Sequence, residues 1–262
     1  EKLAEITPSG LNHVFYANSG SEANDTALRM VRQFWALEGK PEKNVIISRE
    51  MAYHGSTVAA GALSGMPPMH EQAAVVDNIE HIQCPYKFAY GRDMDEEEFG
   101  VLAAGWLQEK IMEIGADRVA AFFVEPIQGA GGAKIPPKNY FVEVQKICTE
   151  NDVLLVVDEV ICGFGRTGNW FASETFGIEK IDLMCLAKGI TSAYTPLSAL
   201  MVSDRIANTF IEKGGEFFHG FTYSGHPVSC AVALENIRIM EDEGMVKQVG
   251  EDTGPYFADQ LA

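Results

Sequence analysis

Seven short apolar runs recur along the chain and alternate with longer stretches in which apolar residues have helical spacing. Several runs are continuously apolar, which is typical of strands that are covered on both faces of a sheet. The stretches 21–37, 99–114 and 140–148 have the pattern of helices that could supply such covers, and a further helix at 227–240 is expected to lead away from the sheet towards a second domain. The runs predicted as strands are NHVFYAN, NVIIS, IEHIQC, VAAFFVE, VLLVVD, LMCLA and LSALMVS. The pattern predicts an α/β fold with a mostly parallel sheet and crossover helices.

Length and composition are those of a packed chain. The 262 residues suit one large α/β unit or slightly more, and 47% of them are hydrophobic. The sequence starts without a Met and stops inside a helical pattern, so we expect a fragment. Within it, residues 1–243 are predicted to form a large domain. Residues 244–262 are predicted to be a helical lead into a smaller domain that is mostly absent.

Charge and cysteine usage narrow the classes of partner. The chain has 37 acidic and 20 basic residues, a formal net charge of -17, which disfavours binding to nucleic acid or to anionic membranes. Its apolar runs are all shorter than the roughly 20 residues needed to span a bilayer. Five irregularly spaced cysteines without a CxxC pair do not suggest a disulfide framework, and we expect a cytoplasmic location.

Ligands of such sheets bind beyond the carboxyl ends of the strands, here called the strand exits. Two of these exits carry polar residues that could form a site. After HVFYAN, Gly20 permits a tight turn and Ser21 opens a helix whose free N–H groups suit a phosphate. Ser21 could instead be only a helix N-cap. After VLLVV, Asp158 and Glu159 are adjacent carboxylates that need partners. An ion pair with Arg166 would be a purely structural explanation.

A third exit ends in Lys188. The apolar strand before it predicts a partly desolvated ammonium, which suits a lysine that forms a Schiff base. Such a lysine is, by itself, more often a surface residue. A pyridine cofactor that accepts electrons needs an amine, a carboxylate beside its ring nitrogen, a flat neighbour and a phosphate anchor. Lys188, Asp158, Tyr53 and the turn at Gly20 and Ser21 are candidates for these four roles.

Other chemistries have weaker signals. GFGRTG at 163–168 matches the dinucleotide pattern GxGxxG, but DEVIC separates it from the strand and the residue 20 positions beyond it is Lys188 rather than an acid. A dinucleotide-dependent oxidoreductase is therefore a remote alternative, and a loop is the preferred interpretation. The six histidines form no HExxH motif, so we predict no metal site. His54 either shapes a pocket beside Tyr53 or is a hydrogen-bonded structural residue.

Taken together, these residues resemble the class III, or ω-type, aminotransferases, a subgroup of the fold type I pyridoxal-phosphate enzymes. Six motifs occur in the family's order and cover nearly the whole chain: NSGSEAND, YHGST, EPIQGAGG, DEVICGFGRTG, LAKGITSAYTPLSA and HGFTYSGHPVSCAVALENI. The resemblance implies the large domain of that fold, pyridoxal 5'-phosphate as the cofactor, and a homodimer.

The resemblance also implies roles for individual residues. Lys188 would carry the cofactor and shuttle the proton, and Asp158 would pair with the ring nitrogen. Tyr53 and Val160 would contact opposite faces of the ring.

The remaining site residues would hold the cofactor or support it. Gly20 and Ser21 would bind the phosphate, and Thr222 would reach the phosphate of the neighbouring subunit. Glu125, from the EP motif, and His54 would have supporting positions.

Two departures narrow the subgroup. Ala130 and Ile161 stand where relatives that use glutamate and 2-oxoglutarate often have Glu and Gln. We therefore expect ping-pong transfer of an amino group from an amine or ω-amino acid to pyruvate. The alternatives are a 2-oxoglutarate-dependent aminotransferase, an aminomutase or a decarboxylating transaminase. A chain that is inactive because it is truncated also stays possible.

Overall fold

A seven-stranded sheet forms the centre of the computed structural model, which describes residues 1–72 and 76–261. Each strand overlaps one of the seven predicted apolar runs. The strands are β1 (His13–Ala17), β2 (Val45–Arg49), β3 (Ile79–Ile82), β4 (Val119–Val124), β5 (Leu154–Asp158), β6 (Leu183–Leu186) and β7 (Ser198–Val202). Their order across the sheet is β1-β7-β6-β5-β4-β2-β3.

The prediction of a mostly parallel α/β sheet is confirmed. β3, β2, β4, β5 and β6 run parallel to one another, whereas β7 is antiparallel to both β6 and β1. Only residues 187–197 connect β6 to β7, and they contain a short 3-10 helix, Lys188–Thr191, rather than a crossover helix. A parallel neighbour would need a longer connection of a dozen or more residues, so the chain turns back in the antiparallel direction.

Helices cover both faces of the sheet. The α-helices are α1 (Lys2–Ile6), α2 (Gly20–Leu37), α3 (Val58–Leu63), α4 (Pro67–Gln72), α5 (Lys87–Tyr90), α6 (Glu96–Ile114), α7 (Tyr140–Glu150), α8 (Ala172–Thr175), α9 (Asp204–Thr209), α10 (Pro227–Asp242), α11 (Met245–Gln248) and α12 (Gly254–Leu261). Two π-helical segments occur at Phe210–Gly214 and Val249–Thr253.

The core consists of one apolar layer on each face of the sheet. All six residues of β4 are buried, and the side chains from Ala121 to Val124 alternate between the layers. Phe122 packs in the layer of α6 and α7, whereas Phe123 packs in the layer of α2 and α9. The indole of Trp35 on α2 donates to the carbonyl oxygen of Ala120 at 2.9 Å. The strands are continuously apolar because helices cover the sheet on both faces. The carboxyl ends of β4, β5 and β6 lie side by side.

Beyond α10 the chain is mostly exposed. Val246 packs against the core, and Gly250 lies against Gly168 of the glycine-rich loop. The division into residues 1–243 and 244–262 stays a prediction. Within residues 1–72 and 76–261, each helix is too short or too polar to cross a membrane.

Candidate active site

A cavity lies at the carboxyl ends of β4, β5 and β6. It is lined by ten residues: Gly20, Ser21, Tyr53, His54, Gly55, Glu125, Asp158, Val160, Ile161 and Lys188. Eight of the nine predicted site residues are among them, although they come from five separate segments of the chain. Thr222 is exposed and does not line this cavity.

Asp158 is the central charged group of the cavity. Its side chain is 3% exposed and accepts three hydrogen bonds. One carboxylate oxygen, Oδ2, accepts from Nδ2 of Asn24 and contacts Nδ1 of His54, each at 2.8 Å. The other, Oδ1, accepts from the backbone N–H of Val160 at 3.0 Å. Three nitrogen donors therefore compensate a carboxylate that has lost its water.

His54 both shapes the cavity and is hydrogen-bonded as a structural residue, the two roles that the sequence left open. It lines the cavity, and its ring nitrogen Nδ1 is hydrogen-bonded to Asp158. Its other ring nitrogen, Nε2, is buried and has no partner within the described part of the chain. Because Asp158 accepts only, the contact requires a proton on Nδ1.

Asn24 is the functional residue that the sequence analysis missed. Its amide nitrogen also donates to the carbonyl oxygen of His54 at 2.9 Å, so it connects α2, the YHGST segment and β5. The signal was present in NSGSEAND, because Asn24 falls between Ala23 and Ala27 on the buried face of α2. A fully buried amide among alanines needs polar partners.

The alternative explanation of the adjacent carboxylates, an ion pair with Arg166, is not what the structure shows. Arg166 is exposed, and its Nε donates to the carbonyl oxygen of Ile161 at 3.1 Å. Glu159 is fully buried and accepts from the backbone N–H groups of Ala172 and Ser173 at 3.2 and 2.6 Å. Successive residues at a strand end point to opposite sides, so the two carboxylates have separate sets of donors.

The N-terminus of α2 differs from the expectation in one respect. Ser19, not Ser21, is the N-cap, and its hydroxyl oxygen accepts from the N–H of Glu22 at 3.2 Å. The hydroxyl oxygen of Ser21 accepts from the N–H of Ser56 at 3.0 Å, which leaves its own proton free to donate. The first amides of a helix have no carbonyl partner within it, so this end of α2 can bind an anion.

Glu125 supports the cavity from β4. It is 2% exposed, and its two carboxylate oxygens accept from the N–H groups of Tyr53 and Gly129 at 3.0 and 3.1 Å. Burial raises the pKa of Glu125. The phenol of Tyr53, which is half-buried, reaches the hydroxyl of Ser56 at 3.0 Å. Glu125 thus fixes the backbone that carries the predicted stacking ring.

Lys188 lines the cavity, but the prediction that its ammonium is partly desolvated is wrong for this chain. The residue is exposed, and it has a left-handed backbone with φ of 44°. The apolar strand ends at Leu186, and Lys188 begins the 3-10 turn that leaves the sheet. Such strain costs on the order of 1–3 kcal/mol and occurs often at functional sites.

The glycine-rich segment 163–168 is a loop, as preferred from the sequence. It opens no helix, since α8 begins only at Ala172. Phe164 packs so closely on Gly189 that a Cβ there would lie 2.7 Å from that of Phe164. Asn236 of α10 donates to the carbonyl oxygen of Gly189 at 2.9 Å. The loop therefore supports the turn that carries Lys188 and lacks the geometry of a dinucleotide site.

The residues fit a phosphorylated pyridine cofactor. The backbone at Gly20 lies close to the side chain of Val160, because a Cβ there would lie 2.8 Å from Cγ1 of Val160. The cavity also combines a carboxylate, an amine and a tyrosine ring, which are the groups that such a cofactor needs. Within residues 1–72 and 76–261, no cluster of three His, Cys, Asp or Glu side chains could hold a metal ion.

A larger groove lies at the opposite ends of β5 and β6. Its lining includes Asp152, Asp182 and Arg205. The guanidinium of Arg205 lies 2.7 Å from Asp152 and 3.8 Å from Asp182, so these charges compensate one another. We place the active site at the smaller cavity, where the amine, carboxylate and anion-binding groups converge.

Comparison with known proteins identifies relatives over the whole chain. A family model described as aminotransferase class-III matches residues 1–262. The chain is 52% identical to putrescine–pyruvate aminotransferase from Pseudomonas aeruginosa over 97% of its length and 56% of the relative. It is 43% identical to diaminobutyrate–2-oxoglutarate transaminase from Halomonas elongata, over 100% of this chain and 57% of that protein. The chain thus spans about half the length of the curated relatives it matches.

Solved structures of transaminases superpose closely on this chain. The (S)-enantioselective omega-transaminase from Thermomicrobium roseum superposes with a TM-score of 0.92 and 41% identity over 95% of this chain and 55% of that one. An omega transaminase from Pseudomonas jessenii in complex with PMP gives a TM-score of 0.92 and 42% identity over 95% of this chain and 56% of that one.

The buried carboxyl of Glu159 makes stability depend on pH. Burial raises the pKa of Glu159 from 4.5 to about 7. The titratable groups that interact electrostatically with this carboxyl are Asp158 and Cys162. The folded protein then binds this proton more tightly than the unfolded chain, so its stability falls as the pH rises toward 7. We expect Glu159→Gln to remove a slope of about 1.4 kcal/mol per pH unit between pH 5.5 and 6.5.

Denaturant unfolding at several pH values measures this slope. Glu174→Gln is the matched control, because Glu174 lies on α8, the helix whose N–H groups bind Glu159, accepts from the N–H of Phe171 and is exposed. Parallel stability curves for the wild type and Glu159→Gln would show that the carboxyl has no raised pKa.

Proposed function

The chain belongs to the class III aminotransferases, and from this we propose that the protein uses pyridoxal 5'-phosphate to transfer an amino group from an amine or ω-amino acid to pyruvate. The observation that carries the proposal is the meeting of Lys188, Asp158 and the α2 N-terminus at one cavity. The family membership supports the reaction class, and the relative in complex with PMP supports the cofactor.

The cofactor would be held from three sides. Gly20 and Ser21 bind its phosphate at the N-terminus of α2, and Tyr53 and Val160 contact the two faces of its ring. Asp158 stabilises a proton on the ring nitrogen, with Asn24 and His54 holding the carboxylate in place. When bound, pyridoxal phosphate supplies a ring that accepts the electrons left on a substrate carbon after its proton departs.

Lys188 is the proposed proton carrier. Its ε-amine would hold the cofactor when no substrate is bound. As a free amine it would move the proton from the substrate carbon to the cofactor carbon in one half of a ping-pong cycle, and in the opposite direction in the other half. The exposed rim position leaves the long side chain room for both tasks.

We propose a homodimer in which Thr222 reaches the phosphate in the neighbouring subunit. Two features support it. Thr222 is exposed and lies outside its own chain's cavity. Large apolar side chains are exposed close to it in the sequence, with Phe218 at 84% and Tyr223 at 67%.

The choice of pyruvate as acceptor has support from the cavity. Ile161 lines it, and the side chain is so close to Gly129 that a Cβ there would lie 2.9 Å from Cδ1 of Ile161. Neither Ile161 nor Ala130 can pair with an arginine that recognises a second carboxylate. The relative at 52% identity is described as using pyruvate. A 2-oxoglutarate acceptor is the second candidate, because the relative at 43% identity is described as using it.

The cofactor proposal is tested by absorbance and covalent trapping. We expect protein mixed with pyridoxal phosphate to develop a visible absorbance band, and borohydride to fix the cofactor on the peptide that contains Lys188. Lys188→Ala should lose both signals. Lys180→Ala, at an exposed position in the groove at the opposite ends of β5 and β6, should keep them. Trapping on another lysine in folded wild type would refute the assignment.

The charge on Asp158 is tested by Asp158→Asn, which keeps the shape of the side chain. We expect the transfer rate to fall by about 100-fold or more, because the developing charge loses its stabilisation. Asp152→Asn is the control, since Asp152 forms surface ion pairs with Lys40 and Arg205. Equal rates for Asp158→Asn and the wild type would mean that this carboxylate does not assist the reaction.

The acceptor is tested by offering pyruvate and 2-oxoglutarate with the same amine donor. We expect at least about tenfold higher kcat/KM for pyruvate, because a second carboxylate buried without a cation costs more than 1.4 kcal/mol. Ile161→Gln should reduce this preference. Turnover with 2-oxoglutarate alone would replace the pyruvate proposal by the second candidate.

A further inference from the structure

The segment that carries Thr222 docks by alternate residues. Residues 215–226 connect the π-helical turn to α10, and the structure describes all of them without a helix or strand. Phe217, His219 and Phe221 are half-buried, whereas Phe218, Gly220 and Thr222 are exposed. The N–H of His219 donates to the carbonyl oxygen of Phe217 at 2.7 Å, and residues 222–225 form a turn, so turns set these orientations. The inward residues therefore decide where the outward residues are presented.

His219 makes most of the inward contacts. Its ring stacks on Phe15 of β1 with centroids 5.5 Å apart and planes at 13°. Edge-on contacts connect it to Phe217 at 5.6 Å and Phe221 at 5.0 Å. Aromatic contacts of this kind bury apolar area and anchor the segment.

A hydrogen bond, which is directional, fixes the position of the segment against α2. Nε2 of His219 lies 2.8 Å from the hydroxyl oxygen of Thr26 on α2. Thr26 donates its only hydroxyl proton to the carbonyl oxygen of Glu22 at 2.7 Å, so the imidazole must be the donor. Burial lowers the pKa of His219, which favours a neutral ring with its single N–H on Nε2.

A second hydrogen bond holds the segment beyond Thr222. The hydroxyl of Ser224 donates to the carbonyl oxygen of Tyr16 on β1 at 2.8 Å. Thr222 thus lies between two fixed points. Thr26 belongs to the helix whose first residues, Gly20 and Ser21, line the cavity of the same chain. The segment is therefore fastened to an element that shapes one site while its exposed side is free to reach another.

We propose that His219 is a positioning residue whose hydrogen bond to Thr26 sets the place at which Thr222 is presented to the cofactor phosphate of a second copy of this chain. The inference rests on the proposed role of Thr222. It predicts that changes at His219 act on cofactor binding only through Thr222.

The first experiment compares dissociation constants for pyridoxal phosphate. His219→Phe keeps an aromatic ring but has no N–H, and we expect about fivefold weaker binding, the equivalent of one net hydrogen bond. His219→Gln retains a donor near the position of Nε2 and should bind within about twofold of the wild type. Thr26→Val should match His219→Phe, and the double variant should be no weaker, because both remove the same bond.

The decisive comparison uses Thr222→Ala. This variant should weaken cofactor binding by itself, and adding His219→Phe should then have no further effect. If Thr222→Ala binds like the wild type, the proposed role of Thr222 is wrong. If Thr222→Ala weakens binding but His219→Phe does not, or weakens it equally in both backgrounds, the positioning role is overturned while the proposed function stands.

Hydrogen exchange on the cofactor-free protein gives a readout that does not depend on activity. Amides of residues 217–224 should exchange faster in His219→Phe and Thr26→Val than in the wild type, and His219→Gln should restore the protection. His13→Phe is the matched control, because His13 is half-buried on β1 and pairs with Asp204 at 3.3 Å instead. Unchanged exchange in both His219→Phe and Thr26→Val would overturn the inference.

Discussion

The buried charge of Asp158 is the constraint on which the rest of the site depends. A carboxylate at the end of an apolar strand is destabilising unless donors replace its water. Here Asn24, His54 and the N–H of Val160 do so. Each donor belongs to a different segment, so satisfying one charge brings together α2, the YHGST turn and the loop after β5. The same residues line the cavity.

Neighbouring carboxylates follow the same rule with different donors. Glu125 and Glu159 are each buried and each accept two backbone N–H groups. Burial raises the pKa of both. Backbone N–H groups thus compensate both carboxylates. The carboxyl ends of the strands thus carry several carboxylates, and amide donors fix their positions.

Helix α2 connects the parts of this arrangement. Ser19 caps it, its first turn offers free amides, and Asn24 reaches Asp158 from its buried face. Two residues further on, Thr26 accepts from His219 and docks the segment that carries Thr222. One helix therefore shapes its own cavity and fixes a segment proposed to serve a second one. A displacement of α2 would change both.

The sequence by itself determined the strands, the fold class and the residues at the strand exits. Continuous apolar runs of this length are typical of strands that are covered on both faces, and the carboxylate and lysine at their ends stand out from these runs as candidates for chemistry. Local patterns also predicted the long helices to within a few residues, because their apolar spacing is set by the neighbouring residues alone.

Only the tertiary structure decided which groups partner one another. The cap at Ser19, the contact of Asn24 with Asp158, the amide donors of Glu159 and the docking of His219 on Thr26 join residues far apart in the sequence or choose between adjacent candidates. The exposure of Lys188 and the reversed direction of β7 depend on a turn whose path follows from its packing on Phe164 and Asn236. Sequence patterns report the preferences of each segment, whereas partners are set by the distances that folding creates.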